Sequence, residues 1–167
     1  GWMGQLQSRA YTNLRFGYPG LRVGARLVHA ADPAEARARE AVEVLGYERA
    51  SADYRAVLND PDVDVVSICA PNFLHAEIGI AAARAGKHFW IEKPVGRSAD
   101  ETRAVSDAVD LAGVVTSIGF NYRHAPAVEY LRELIASGRL GRITNVRGHM
   151  FADYSSDPRG ALSWRFV

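Results

Sequence analysis

The chain has 167 residues, enough for one domain or for one domain and part of a second. A hydrophobic share of 48% and a charged share of 23% exclude a disordered chain, and no apolar run approaches the roughly 20 residues of a membrane span. A net charge of +1, with arginines scattered among acids, argues against nucleic acid as the main partner. The single cysteine, Cys69, excludes an internal disulfide and suits a reducing, cytoplasmic setting.

Strands and helices alternate along the chain. Gly4 opens a helix that runs to about Arg15, and Tyr18-Pro19-Gly20 breaks it. Residues 25–31 read as a strand ended by Asp32-Pro33. Pro33 favours the first position of the next helix, and Gly46 supplies its C-cap. Ser51 is expected to cap a short helix stopped by Pro61. Residues 63–68 form a strand whose continuous apolar end suits a buried parallel sheet. Leu74, Ile78, Ala81 and Ala85 recur at helical spacing, with Asn72 as candidate cap and Gly86 as stop. His88-Phe89-Trp90-Ile91 is a short apolar strand that empties into Glu92-Lys93-Pro94.

Ser98 and Glu101 have capping-box spacing ahead of a helix that ends at Gly113, and residues 114–118 form the next strand. Pro126 starts a helix that Gly138 ends. From Ile143 the texture changes: Val146, Met150, Ala152 and Tyr154 alternate with Arg147, His149, Phe151 and Asp153. That period of two predicts an antiparallel strand with two unlike faces. The fold class is therefore α/β, a doubly wound parallel sheet in residues 1–120. Residues 121–167 are expected to begin an α+β domain with a mostly antiparallel sheet. Within the first domain, residues 25–31, 63–68 and 88–91 are expected side by side and parallel.

One lysine stands out. The chain has two lysines, Lys87 and Lys93, against eighteen arginines. Arginine does not release its proton near neutral pH, whereas a lysine in suitable surroundings does. Lys93 follows a strand, at the edge where open α/β sheets bind ligands. Lys87 sits at the opposite end of that strand, just past Gly86, and its replacement is expected to be nearly silent.

Pro71-Asn72 and His75 ahead of a helix, then Glu92-Lys93-Pro94 after the next strand, resemble the Gfo/Idh/MocA family (glucose–fructose oxidoreductase, inositol dehydrogenase and rhizopine catabolism proteins). The resemblance runs along almost the whole chain. Gly1-Trp2-Met3-Gly4 is similar to the end of the family's nucleotide loop, and Gly119-Phe120-Asn121-Tyr122-Arg123 to its exit from the cofactor domain. Glu92 to Gly96 also resembles the Glu-Lys-Pro-x-Gly of glucose-6-phosphate dehydrogenases; the order and spacing of the full set favour the first family. A dinucleotide fingerprint has a strand before its first glycine. This chain opens at what resembles the second glycine and is about half the family's length, so it is expected to be a fragment cut at both ends.

The resemblance implies NAD as cofactor, with NADP the lesser alternative, and a Rossmann domain lacking its first strand. Gly1, Trp2, Met3 and Gly4 would meet the pyrophosphate at a helix N-terminus. Asp32, after the second strand, would bind the adenosine ribose hydroxyls and repel a 2′-phosphate, while also capping the following helix. Pro71, Asn72 and His75 would face the middle of the cofactor; capping by Asn72 and a surface His75 are the plainer alternatives. Glu92 and Lys93, neighbours on an extended segment, point to opposite faces. Glu92 would face the cofactor ribose or support the loop, and Lys93 would bind substrate and carry the hydroxyl proton. Pro94 admits a cis Lys93–Pro94 bond. Arg123 would hold substrate or act as a hinge, and Trp164-Arg165 would fold back onto the cofactor.

The implied reaction passes a hydride between the cofactor and a hydroxyl-bearing carbon of a sugar, an inositol or a related polyol. A missing segment would add an aspartate and a histidine, and the complete protein would be a homo-oligomer free of metal and membrane. The alternative is a non-catalytic dinucleotide sensor or scaffold, which would keep Asp32 and the glycines but have no use for Lys93. A methyltransferase likewise gives no account of Lys93. A short-chain dehydrogenase would need Tyr-x-x-x-Lys, and here Ala83 and Phe89 stand four residues before the two lysines.

Overall fold

The alternation of strand and helix builds five parallel strands in two sheets. The structure, a computed structural model, describes residues 1–151 and 159. The chain divides into two compact units, Gly1–Gly119 and Phe120–Val167. The first unit runs α1 (Trp2–Gly17), β1 (His29–Ala31), α2 (Glu35–Glu43), β2 (Arg49–Ser51), α3 (Tyr54–Leu58) and β3 (Val65–Ile68). After a 3-10 turn at Asn72–Leu74 it continues with α4 (His75–Arg84), β4 (His88–Ile91), α5 (Ala99–Ala112) and β5 (Thr116–Ile118). One sheet pairs β1 with β2, and the other has the order β3-β4-β5.

Strands β3 and β4 are neighbours as the sequence predicts, but β1 is not beside β3. It pairs instead with β2, which the sequence hides because Arg49-Ala50-Ser51 has no apolar alternation. The break between the sheets falls where the doubly wound order 3-2-1-4-5-6 has its first strand. Val28, Val57 and Val63 form a small apolar cluster there, with Val66 against it. Tyr11 on α1 reaches Ser67 on β3, hydroxyl to hydroxyl, at 2.7 Å.

Local chemistry moves several boundaries. Asp32 Oδ1 accepts a bond from the Ala34 N–H at 3.0 Å, and this turn keeps Pro33 outside α2. Asp53, not Ser51, caps α3 by accepting from the Arg55 N–H at 2.9 Å; Ser51 is the last residue of β2. Ser98 caps α5 through the Glu101 N–H at 3.1 Å, and α5 ends at left-handed Gly113, φ 66°.

The buried stripe of α4 is His75, Ile78, Gly79, Ala82 and Ala83, one residue out of phase with the stripe expected from Leu74, Ala81 and Ala85. Its small residues let α5 approach closely. A Cβ on Gly79 would lie 3.3 Å from a Val105 methyl. Phe89, Ile91, Ile68 and Val95 complete this core, each large side chain contributing roughly 1.5–3 kcal/mol by leaving water.

A polar cluster ties the sheets together at the amino ends of the strands. The Asp60 carboxylate is buried, with 6% of its side chain exposed. Arg49 donates to its two oxygens at 2.7 and 2.6 Å, the Asp62 N–H donates at 3.1 Å, and His29 Nδ1 lies at 2.8 Å. Hydrogen bonding from the Arg49 guanidinium, aided by the His29 bond and the Asp62 N–H, holds the Asp60 carboxyl well below the usual carboxylate range against the opposing effect of burial. Lys87 Nζ donates to the carbonyls of Asp60 and Val63 at 2.9 and 2.6 Å. Lys87 is thus a structural clamp at the amino end of β4, on the side away from the loops that follow the strands.

The second unit contains a 3-10 turn at Asn121–His124 and α6 (Pro126–Ala136), with Pro126 at its start and Gly138 left-handed beyond its end. No strand follows β5 among the described residues. Residues 144–151 lack the predicted strand; no described neighbour offers them a ladder to satisfy their backbone groups. Ala152, Asp153 and Tyr154 lie outside the described residues.

Candidate active site

Parallel pairing puts the carboxyl ends of the strands in each sheet on one edge, and the residues expected to act lie in the loops at those ends. At the end of β1, Asp32 is largely covered, with 21% of its side chain exposed. Its Oδ2 lies 3.7 Å from the Gly1 nitrogen and 3.9 Å from Arg37 Nη1. The first backbone bond of α1 runs from Gln5 N–H to Gly1 O at 3.2 Å. The amides of Trp2, Met3 and Gly4 therefore stand at the open end of the helix, where free N–H groups attract an anion. A Cβ on Gly1 or Gly4 would meet nothing within 4 Å. Amides for phosphate beside a carboxylate for ribose fit a dinucleotide.

Pro71 and Asn72 follow β3 and start the 3-10 turn, in which the Leu74 N–H donates to Pro71 O at 2.9 Å. Asn72 makes no side-chain cap. His75 has a different role from the cofactor contact expected of it. It is 1% exposed, with Nδ1 2.6 Å from the Pro94 carbonyl oxygen and Nε2 2.8 Å from the Ala70 carbonyl oxygen. Both polar ring atoms are occupied by the protein, which leaves neither for a cofactor.

The loop after β4 is held along its length. Glu92, 7% exposed, accepts the Lys93 N–H at Oε2 over 3.2 Å. The Lys93–Pro94 bond is cis, and Val95 is buried in the core. Gly96 lies on the start of α5, where a Cβ would come within 2.8 Å of the Thr102 nitrogen. The Arg97 N–H donates to Glu101 Oε2 at 2.7 Å. Lys93 itself is exposed, and its Nζ has no hydrogen-bond or ion-pair partner among the described residues. The two lysines therefore differ: Lys87 is tied to two carbonyls, and Lys93 has no such tie among the described residues.

Strand register brings three further residues to this edge. The Glu92 N–H donates to Ile68 O and the Gly119 N–H to Ile91 O, placing Cys69, Glu92 and Gly119 in one row. A Cβ on Gly119 would lie 2.8 Å from the Trp90 ring and 2.9 Å from Glu92 Oε2. Only glycine leaves room for indole and carboxylate there. Burial, then the Glu92 charge, pushes the Cys69 thiol up to about 12. Trp90 and Gly119 escape sequence reasoning; period-two extension of the β4 and β5 register is the signal that finds them.

Arg123 is exposed within the turn of the second unit. Trp164 and Arg165 lie outside the described residues. Among the described residues no group of three or more His, Cys, Asp or Glu side chains is arranged to hold a metal, and no helix is long and apolar enough to cross a membrane.

Comparison with known proteins gives the class. The profile of the oxidoreductase family with an NAD-binding Rossmann fold, Gfo/Idh/MocA, matches residues 1–120. Levoglucosan dehydrogenase of Pseudarthrobacter phenanthrenivorans is 44% identical over 167 residues, covering 99% of this chain and 43% of that enzyme. The NAD(+)-dependent scyllo-inositol 2-dehydrogenase of Bacillus subtilis is 37% identical over 125 residues, covering 75% of this chain and 36% of the enzyme. A levoglucosan dehydrogenase solved with NADH and levoglucosan superposes with a TM-score of 0.94 at 41% identity, over 99% of this chain and 45% of that one. The chain belongs to the Gfo/Idh/MocA oxidoreductase family and spans less than half the length of these relatives.

Proposed function

We propose that the full-length protein is an NAD-dependent dehydrogenase that oxidises a hydroxyl-bearing carbon of a sugar or polyol. The observation that carries this reading is Lys93, an exposed amino group without a partner among the described residues, on a loop whose backbone is pinned on both sides. Bound nicotinamide supplies the hydride acceptor. The protein's part is to orient the substrate carbon and to take the hydroxyl proton on the neutral amine of Lys93, which becomes the ammonium as the C–H bond yields its hydride and leaves a carbonyl product. The amides at the start of α1 and the Asp32 carboxylate hold the dinucleotide, and Asp32 favours NAD over NADP. Pro71, Asn72 and Glu92 line the cofactor's path.

Similarity to levoglucosan dehydrogenase makes an anhydrosugar the first substrate to assay, with inositols second. The setting is cytoplasmic and the complete protein a homo-oligomer. Replacing Lys93 with Met in the full-length protein tests the reading. Turnover should fall by about 10²- to 10⁴-fold, the range for a lost general acid/base, while NAD affinity and Tm stay near wild type. Unchanged turnover with an unchanged pH profile would remove Lys93 from the chemistry, and dinucleotide binding with no turnover in the wild type would favour a dinucleotide sensor instead.

A further inference from the structure

We propose that His75 is the positioning residue for Lys93, holding the Pro94 carbonyl so that the lysine leaves β4 in one fixed direction. The inference rests on the reading of Lys93 as the proton carrier. Its starting point is the phase of α4. Position 75 lies on the stripe with Ile78, Gly79, Ala82 and Ala83, which packs on the sheet and on α5. An apolar residue would suit that place on burial alone, because a buried polar ring costs free energy unless it is bonded.

The imidazole lies against two different strand exits: Ala70 follows β3, and Pro94 follows β4. A carbonyl oxygen only accepts and a neutral imidazole carries one N–H, so the ring donates to one of them. We place that proton on Nδ1, whose contact with Pro94 O is the shorter at 2.6 Å. The β4 exit has few other means of support. The last ladder bond on this side is from Glu92 N–H to Ile68 O, at 3.0 Å, and Pro94 has no N–H to extend it. Two buried groups take over there: Glu92 holds the Lys93 N–H, and His75 holds the carbonyl one residue further on. The lysine side chain has four rotatable bonds and no partner of its own among the described residues. Fixing its backbone is therefore the protein's means of aiming Nζ, and a 1 Å error in placing a reacting group can cost about 10²-fold in rate.

Two substitutions separate aiming from simple packing. In His75→Asn the amide nitrogen sits near the place of Nδ1 and keeps the Pro94 bond. In His75→Gln the amide nitrogen sits near the place of Nε2 and keeps the Ala70 bond. Each keeps one amide donor toward a strand exit and gives up the other contact, so a purely structural role predicts equal damage. In the full-length protein, turnover should fall less than tenfold in His75→Asn and about 10²-fold in His75→Gln, with NAD affinity little changed in both. Hydrogen exchange at the amides of residues 92–98, read without cofactor, should accelerate in His75→Gln only. Equal losses in both variants, or exchange that rises along α4 rather than at 92–98, would overturn the proposal. So would the loss of fold and NAD binding together in both, which would assign His75 to the core alone. Turnover surviving Lys93→Met would instead remove the catalytic reading, and the exchange pattern would still decide whether His75 holds this loop.

Discussion

Replacing Lys87 with Met should destabilise the protein without touching its chemistry. Lys87 Nζ serves the carbonyls of Asp60 and Val63, and both residues are buried. Met fills the space of the lysine stem but donates nothing. Two buried acceptors lose a partner, at roughly 1–3 kcal/mol each, and water at the partly exposed site recovers some of this, for a net loss of about 2–4 kcal/mol. At about 2–4 °C per kcal/mol for 150–250 residues, and roughly half that for a protein more than twice the length of this chain, Tm should drop by about 2–8 °C. Circular dichroism melts of the full-length protein without NAD measure the drop. Turnover assayed well below Tm should stay within about twofold of wild type. A melting temperature within about 1 °C of wild type would show that Lys87 is a solvated cation and that the clamp carries no weight.

Three further outcomes follow from the same geometry. The Asp60 carboxyl titrates below its unfolded value, so its contribution is complete above about pH 4 and fades as pH falls through that range. Tm should therefore decline more steeply below pH 4 in wild type than in Asp60→Asn, and parallel slopes would exclude Asp60 as the acid-sensitive group. Cys69, pushed up to about 12, should react with iodoacetamide at pH 8 at about a thousandth of its rate in urea; equal rates would mean that the thiol is neither covered nor beside a carboxylate. Asp32→Ser keeps an oxygen for the Ala34 N–H, removes the charge and leaves Arg37 in place. Fluorescence titration should show NADPH gaining at least about tenfold on NADH, and no gain would limit Asp32 to capping α2.

The carboxyl edge was legible in the sequence because each of its parts is local. Asp32 stands directly after a strand, Pro71-Asn72 directly before a helix, and Glu92-Lys93-Pro94 directly after an apolar run, so strand direction alone puts them on the ligand side of a parallel sheet. The Asp60 cluster was not legible. It takes residues 29, 49, 60, 62 and 87 from separate elements, and none of them has a neighbour in sequence that announces its partner. Strand β2 was hidden for a related reason, since three residues without alternation acquire strand geometry only by pairing with β1.

His75 lies between these two cases, and its miss has a definite cause. A helix stripe built on Leu74, Ile78, Ala81 and Ala85 leaves residue 75 beside the core, and a histidine there reads as a surface or cofactor residue. A stripe built on Ile78, Gly79, Ala82 and Ala83 extends back three positions to His75 and buries it. The sequence is ambiguous because alanine and glycine satisfy either phase. Close approach of α5 removes the ambiguity, since only the second phase turns Gly79 toward Val105, where an added Cβ would lie 3.3 Å from a methyl. The phase that lets the helices pack also turns the imidazole toward the carbonyls of both strand exits. Packing of α4 on α5 and the setting of the Lys93 loop are thus one structural choice, and a bulkier residue at 79 or 82 should disturb the loop as well as the core.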